Sequence, residues 1–253
     1  MSQMAKALAY AFDPALLAAD ADIVLDNWQA DFVRSDKPQT ALLIPRQHGK
    51  TEAAVMKALS VATTEPDSLI LILSPAQRLS DEFVRRARLA YGRLKNAPAL
   101  IGDAARKIEM ENKSRILALP GDNDGDTLRG LANVRMAIID ETSRCSDALI
   151  TAVRPMLATN KRGQLIYLST PAGKRGVFYE TWTSTDEDWH RIRVDLGACD
   201  RITPEFLARE RKNLGETKFR EEYLCEFLDS DIAAFNSSLV EMMFDPGVKP
   251  LWK

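Results

Sequence analysis

Short apolar runs that alternate with longer helical patterns constrain the fold of this chain more than any other feature of its sequence. Each run is brief, rich in Leu, Ile or Val, and bounded by polar or turn residues, which is typical of a buried strand. The predicted strands are Thr40–Ile44, Leu69–Leu73, Val134–Ile139 and Leu165–Leu168. The predicted helices between them are Lys50–Ala62, Ala76–Lys95 and Ser146–Leu157. This alternation predicts an α/β fold with a mainly parallel sheet and helices on both faces.

Two segments depart from the alternation. The stretch KIEMENKSRILALP has two strand-like halves around Glu111–Ser114, which predicts a hairpin inserted before the third core strand, at a sheet edge. Further on, Thr203 is a predicted helix cap, the helix it starts ends near Gly215, and a second helix is predicted over Lys218–Phe227.

These patterns predict how the chain is divided. We expect one domain over residues 1–228, with a core over about 22–195 and a small helical lid region over about 196–228. Residues 229–253 lose periodicity, and we interpret them as a linker or terminal extension.

The composition excludes several classes of protein. The 253 residues are 45% hydrophobic and 28% charged, which suits a globular core and argues against disorder. A net charge of -2 means that any contact with nucleic acid would need a local basic patch. The cysteines Cys145, Cys199 and Cys225 are widely spaced, which argues against a disulfide framework or zinc site and fits a reducing cytoplasm. The apolar runs are far below the roughly 18 residues of a membrane span, so we expect neither secretion nor membrane insertion.

The segment LLIPRQHGKTEAA directly follows the first predicted strand and opens the first predicted helix. Gly49, Lys50 and Thr51 match the end of the phosphate-loop pattern G-x-x-x-x-G-K-[ST], but Ile44 stands where the first Gly belongs. At this position backbone N–H groups and a helix N-terminus can converge on an anion. Lys50 would bring a positive charge to the outer phosphates, and Thr51 a hydroxyl ligand to Mg2+. The alternative is a chance tripeptide that caps a helix.

A second acidic motif lies downstream, where the segment VRMAIIDET ends a strand with Asp140 and Glu141. In phosphoryl transfer the first acid can hold Mg2+ through water and the second can activate the attacking water. A solvated strand end would explain the pair alone, but its occurrence after Gly-Lys-Thr favours the catalytic interpretation.

Three weaker signals accompany these motifs. Gln29, in NWQADFVRS before the first strand, has an amide that can pair with the adenine edge. Ser169 and Thr170 follow the fourth strand, where their hydroxyls can sense the γ-phosphate, and Arg129 lies in DTLRGL before the acidic strand. The alternatives are a surface amide for Gln29 and an ordinary turn for Ser169 and Thr170.

In this order and spacing the motifs resemble the ATPase domain of the large terminase of tailed bacteriophages, a RecA-like (ASCE) P-loop NTPase, over roughly residues 22–228. That family has a phosphate loop without the first Gly and with an Arg two residues further along, where this chain has Arg46. Such an Arg can stabilise charge on the γ-phosphate. The loop is therefore interpreted as a variant of the usual pattern.

The resemblance also implies roles for individual residues. The implied nucleotide-binding residues are Gln29, Arg46, Gln47, His48, Gly49, Lys50, Thr51, Ser169 and Thr170. The implied Mg2+ ligands are Thr51 and Asp140, and the implied catalytic residues are Glu141, Arg46 and Arg129, the last as an arginine finger acting in trans. For His48, the alternative is that it only fills space in the loop. For Arg129, the alternative is a local pair with Asp124 or Asp126.

The resemblance implies a motor that uses ATP and Mg2+ to translocate double-stranded DNA into the procapsid, in the cytoplasm of a bacterial host. The implied partners are double-stranded DNA, the portal protein, the small terminase subunit and further copies of the chain in a ring on the portal. Large terminases continue into an RNase H-like nuclease. Because Asp229, Asp231 and Asp245 have no strand-borne pairing for a two-metal site, we expect no nuclease activity from this chain.

Two other functions are compatible with the motifs. A superfamily-2 helicase fragment shares them, but it normally needs a second RecA-like domain, for which residues 196–253 are too few and too helical. A non-hydrolysing, nucleotide-gated DNA-binding module would not require Glu141 in addition to Lys50.

Overall fold

An eight-stranded sheet forms the centre of the computed structural model, which describes residues 3–95, 97–120, 131–199 and 202–229. In chain order, β1 to β8 are Gln39–Leu43, Leu69–Ser74, Leu100–Ala104, Lys107–Met110, Arg115–Pro120, Val134–Asp140, Gln164–Ser169 and His190–Arg193. Their spatial order is β3-β4-β5-β2-β6-β7-β1-β8. The strands from β5 to β8 in this order pair in parallel, and β3–β4 and β4–β5 pair antiparallel. The predicted α/β class with a mainly parallel, RecA-like sheet is confirmed.

Helices connect most of these strands. In chain order, α1 to α9 are Gln3–Phe12, Leu16–Asp20, Asn27–Arg34, Lys50–Thr64, Gln77–Tyr91, Asp147–Leu157, Gly176–Thr183, Pro204–Leu214 and Glu216–Leu224. Two 3-10 turns lie at Thr142–Arg144 and Leu196–Ala198. Within the described ranges, every helix lacks either the length or the apolar character that crossing a membrane would require. The three cysteines, all of which are described, are free thiols.

The central strands β1, β2, β6 and β7 are buried on both faces, and their successive residues point to opposite sides. Leu42, Ile72 and Ile138 belong to one core cluster, together with buried residues of α2, α3, α4 and α5. Leu43 and Ile139, each one residue further along, belong to the other cluster, with residues of α6 and α7. Helices therefore cover both faces of the sheet, as the strand and helix alternation predicted.

The four predicted core strands and the three helices between them are present, with small shifts at their ends. The helix predicted to reach Lys95 ends at Tyr91, because the N–H groups of Arg93 and Leu94 donate to carbonyls three residues back and no longer four. The predicted hairpin around Glu111–Ser114 is confirmed as β4 and β5. It does not form the edge of the sheet, because β3, which the sequence pattern did not indicate, pairs with β4 on the outside.

The two C-terminal helices were predicted with unequal success. The cap of α8 is confirmed, since the Thr203 hydroxyl accepts a hydrogen bond from the N–H of Phe206 at 3.2 Å. The prediction that the second helix reaches Phe227 is wrong: α9 ends at Leu224, because Cys225 has a φ of +53°, in the left-handed region. Apart from residue 229, the predicted linker lies outside the described residues, and the division into core and lid stays a prediction.

A buried lysine joins the helix before the phosphate loop to the helix after it. Lys57 of α4 is 5% exposed, and its ammonium donates to the carbonyls of Val33, at 2.9 Å, and Ser35, at the C-terminal end of α3. These are carbonyls that a helix end leaves without intrahelical partners. Burial, assisted by the positive charge of Arg135, lowers the pKa of Lys57 to about 8.

We predict that this lysine makes stability depend on pH. Between about pH 8 and the ordinary lysine value of 10.5, the unfolded chain binds the proton and the folded chain does not, so stability rises with pH across that window. From pH 7.5 to 9.5, the free energy of unfolding of the wild type should rise by about 2 kcal/mol relative to Lys57→Met. Urea unfolding of both proteins at the two pH values measures this, with the exposed Lys37→Met as control. A wild-type-minus-variant difference that stays constant with pH would contradict the prediction.

Candidate active site

The carboxyl ends of β6, β7 and β1 lie side by side at the same end of the strands, because the three strands are neighbours and parallel. Leu168 of β7 pairs with Asp140 of β6 on one side and with Leu42 of β1 on the other. The phosphate loop follows β1. Asp140 is the last residue of β6 and Glu141 comes directly after it, and Ser169 is the last residue of β7. The register therefore brings three predicted motifs side by side.

The phosphate loop has the backbone shape of an anion site. Gln47 and Gly49 both have positive φ, 64° and 76°, and α4 begins at Lys50. Alternating left-handed residues turn consecutive N–H groups inward, and the N-terminus of a helix adds partial positive charge. Gly49 adopts this conformation without steric cost, whereas Gln47 pays about 1–2 kcal/mol for it. The side chains of Arg46 and Gln47 are exposed.

His48 is completely buried beneath this loop. Its Nδ1 lies 2.9 Å from the Arg46 carbonyl oxygen, and its Nε2 lies 3.0 Å from that of Leu196. A neutral imidazole can donate to one of these carbonyls, and only the doubly protonated ring to both. The side chain thus joins the loop to the 3-10 turn Leu196–Ala198, and its predicted contact with nucleotide stays a prediction.

Gln29 is also completely buried, and its amide ties α3 to the phosphate loop. Its oxygen accepts from the N–H of Asp26 at 2.8 Å, and its nitrogen donates to the carbonyl of Gly49 at 3.0 Å. The first contact is half of a capping box at the start of α3. Recognition of adenine by Gln29 stays a prediction, and the structure adds a structural role that the sequence did not indicate.

The acidic pair is held by the residues that open α4. Lys50 pairs with Oε1 of Glu141, and the Thr51 hydroxyl donates to Oδ2 of Asp140 at 3.3 Å. Asp140 is 6% exposed, and burial raises its pKa, although the positive charge of Lys50 opposes the rise. Glu141 has a φ of +53°, a conformation that costs a non-glycine residue about 1–3 kcal/mol and is concentrated at functional sites.

The residues after β7 contact the turn that follows Glu141. The Ser169 hydroxyl donates to the Ser143 hydroxyl at 2.7 Å, and Ser143 donates in turn to the carbonyl of Thr170 at 2.8 Å. The N–H of Ser143 donates to Ser169 at 3.1 Å. The end of β7 and the turn after the acidic pair therefore form one hydrogen-bonded unit.

Two site residues were missed by sequence reasoning. The Arg144 guanidinium donates to Oε2 of Glu141 at 2.9 Å, to Oε1 of Glu222 at 2.9 Å and to the Thr170 hydroxyl at 3.0 Å. The available signal was the spacing of three residues between Glu141 and Arg144. Glu222 lies 78 positions away from Arg144, on α9, and no local pattern indicated it.

Arg129 lies outside the described residues, as do Asp231 and Asp245. The predicted role of Arg129 as an arginine finger therefore stays a prediction.

The strand order, and the phosphate loop that lies beside an acidic strand end, are typical of a RecA-like P-loop fold. A family model described as the N-terminal part of the terminase large subunit, T4likevirus type, matches residues 41–242. The chain belongs to this terminase large subunit family. No curated protein sequence is significantly similar to it.

Solved structures of large terminases share the fold. The ATPase domain of the Thermus phage P74-26 large terminase is 21% identical, with a TM-score of 0.67 over 83% of this chain and 97% of that domain. The HK97 bacteriophage large terminase is 18% identical, with a TM-score of 0.69 over 81% of this chain and 51% of that chain. The large terminase of a thermophilic bacteriophage, in complex with ADP, is 11% identical, with a TM-score of 0.68 over 80% of this chain and 54% of that one. This chain thus spans about half the length of the last two proteins.

We predict that Gln29 stabilises the folded domain. Gln29→Ala would remove a buried acceptor from the N–H of Asp26 and one of two donors to the carbonyl of Gly49, which also accepts from the N–H of Ala53 at 3.1 Å. This loss should lower the free energy of unfolding by about 1–3 kcal/mol. Denaturant unfolding without nucleotide measures the change. Asn27→Ala, at a position of the same helix that is not buried, is the control. Equal losses in both variants would show that the bridge to the loop carries no stability.

Proposed function

We propose that this chain hydrolyses ATP at the carboxyl ends of β1, β6 and β7. We further propose that it is the ATPase motor domain of a phage DNA-packaging terminase. The observation that carries the proposal is the contact of Lys50 with Glu141, since it joins the anion-binding loop and the acidic pair in one site. Membership of the terminase large subunit family supports it. The large terminase of the thermophilic bacteriophage has been solved with ADP and with ATP-γ-S, which supports nucleotide binding in this fold.

The phosphate loop would bind the phosphates of ATP through its backbone N–H groups and the N-terminus of α4. The side chain of Lys50 is 14% exposed and lies at the loop, where it pairs with Glu141. Phosphate oxygens compete for this ammonium, so ATP binding would draw Lys50 from Glu141 to the outer phosphates. Arg46 is exposed beside the loop and would contact the γ-phosphate.

The residues present fit Mg2+. The Thr51 hydroxyl and the Asp140 carboxylate are hard oxygen donors that already lie 3.3 Å apart. Mg2+ typically binds one or two protein oxygens together with water and substrate phosphates. In the described part of the chain, no group of three or more His, Cys, Asp or Glu residues could hold a metal by itself. When bound, Mg2+ would neutralise charge on the β- and γ-phosphate oxygens.

Glu141 would act as the general base once Lys50 has moved to the phosphates. Water attacks the γ-phosphorus, the bond from that phosphorus to the bridging oxygen of ADP breaks, and Glu141 takes a proton from the water. Asp140, fixed by the backbone N–H of Glu141 at 3.0 Å and by Thr51, holds its position beside the base. Ser169 and Thr170 would report the state of the γ-phosphate to the turn after Glu141 through Ser143.

The finer features of a packaging motor belong to the same proposal. They are translocation of double-stranded DNA, docking to the portal protein, interaction with the small terminase subunit, assembly into a ring, location in the bacterial cytoplasm, and an arginine finger at Arg129 acting on a neighbouring copy. The family match supports this function over the helicase fragment and the non-hydrolysing module.

We predict that Glu141→Gln lowers the rate of ATP hydrolysis by on the order of a hundredfold or more, because the amide cannot accept the proton from water. ATP affinity should remain within a few-fold of the wild type. Phosphate release gives the turnover, and equilibrium titration gives the affinity. Glu187→Gln, which changes an exposed carboxylate away from the site, is the control. Undiminished hydrolysis by Glu141→Gln would remove this residue from the mechanism.

We predict that Arg46→Ala weakens ATP binding by about tenfold more than ADP binding, because ATP alone offers the γ-phosphate that the guanidinium would contact. Lys50→Ala should weaken the binding of both nucleotides. Calorimetric titrations with ADP and a non-hydrolysable ATP analogue measure the two affinities for each variant. If Arg46→Ala weakens both nucleotides equally, the arginine acts as a general electrostatic element and does not recognise the γ-phosphate.

A further inference from the structure

Arg144 lies where three separate parts of the site converge. Its Nη1 donates to Glu141 and to Thr170, and its Nη2 donates to Glu222. The side chain of Arg144 is 35% exposed and that of Glu222 is 14% exposed. Isolated ion pairs at the surface contribute little to stability. The pair of Arg144 with Glu222 also connects to Glu141, the proposed general base. We therefore consider how it positions side chains, and not how much it stabilises the fold.

Glu222 gives α9 a direct contact with each neighbouring motif. One carboxylate oxygen accepts from Arg144, and the other accepts from the Thr170 hydroxyl at 3.4 Å. Its backbone carbonyl accepts from the N–H of Arg46, in the phosphate loop, at 2.7 Å. One residue of α9 thus touches the phosphate loop, the segment after β7 and the arginine that follows the acidic pair.

The two oxygens of Glu141 are held by two different cations. Lys50 pairs with Oε1 and Arg144 with Oε2. Under the proposed function the phosphates of ATP take Lys50 away from Oε1, and Arg144 then retains Oε2. A planar guanidinium fixes a carboxylate more precisely than an ammonium does, because its donors are rigidly arranged.

We propose that Arg144 is a positioning residue for Glu141, and that Glu222 couples this positioning to helix α9. Arg144 keeps the carboxylate of the base aimed at the attacking water after Lys50 leaves, and Glu222 keeps Arg144 in place only while α9 is docked against the site. The orientation of the base therefore depends on the docking of α9. The inference rests on the proposed function, because it assigns a regulating contact to the same site.

The expected signature is a loss of turnover without a loss of nucleotide binding. Misplacing a catalytic group by about 1 Å can cost on the order of a hundredfold, so Arg144→Ala should lower kcat by about 10- to 100-fold. Its affinity for ADP and for a non-hydrolysable ATP analogue should stay within about threefold, because Arg144 is proposed to act on the base and not on the phosphates. Glu222→Gln should lower kcat by about tenfold, with the same unchanged affinities.

A double-mutant cycle tests the coupling. If Glu222 acts through Arg144, the double variant Arg144→Ala, Glu222→Gln should be no slower than Arg144→Ala alone. The matched control is Glu216→Gln, which removes a carboxylate from the same helix, where it pairs with the exposed Arg211 at 2.6 Å. This control should keep the wild-type kcat. Multiplicative losses in the double variant, or an equal loss of kcat in Glu216→Gln, would overturn the coupling to α9.

If Arg144→Ala fails to fold, Arg144→Lys is the second variant that tests the positioning role. Lysine keeps the positive charge but cannot bridge both carboxylates with a planar fork, so kcat should still fall by about tenfold. A fully active Arg144→Lys or Arg144→Ala would overturn the positioning role. Glu141→Gln separates this failure from that of the proposed function. If it is inactive while the Arg144 variants are fully active, only the present inference fails, and if it hydrolyses ATP normally, both fail.

Discussion

The register of three parallel strands is the constraint on which the rest of the site depends. Because β6, β7 and β1 are parallel neighbours whose last residues lie within one row of each other, the segments that follow them must converge. Side chains alternate between two buried faces, so a slip of one residue in β6 would exchange its core contacts and carry Asp140 away from Thr51. The packing of two apolar faces thereby fixes the placement of polar groups that contribute little to the core themselves.

The charged side chains at the site are arranged so that acidic groups lie against basic ones. Asp140, Glu141 and Glu222 share two cations, Lys50 and Arg144. Burial alone would favour protonation of Asp140, as the direction of its pKa shows. Of these groups, Lys50 is the one that incoming phosphates would attract under the proposed function.

What the sequence could predict followed from local patterns. An apolar run that ends in Asp140, or one followed by Gly-Lys-Thr, shows both the strand and its chemistry within a few residues. By contrast, β8 has the polar sequence HRIR, and β3 exposes Leu100 and Ile101, so neither has the apolar signature of a buried strand. The contact between Arg144 and Glu222 depends on how α9 docks, which spacing along the chain does not encode.

The contrast in burial between α4 and α8 implies a hierarchy of local unfolding. Every residue of α4 from Ala53 to Ala62 is buried, whereas none of the residues Pro204–Leu214, all within the described part of the chain, is buried. Segments with few buried contacts open at low free-energy cost, and buried core segments open only with the whole domain. Amide protons of α8 should therefore exchange with solvent through small, frequent fluctuations, while those of α4 wait for global unfolding. A molecule in which α8 has unfolded would still retain α4 and the sheet, which hold the phosphate loop in place.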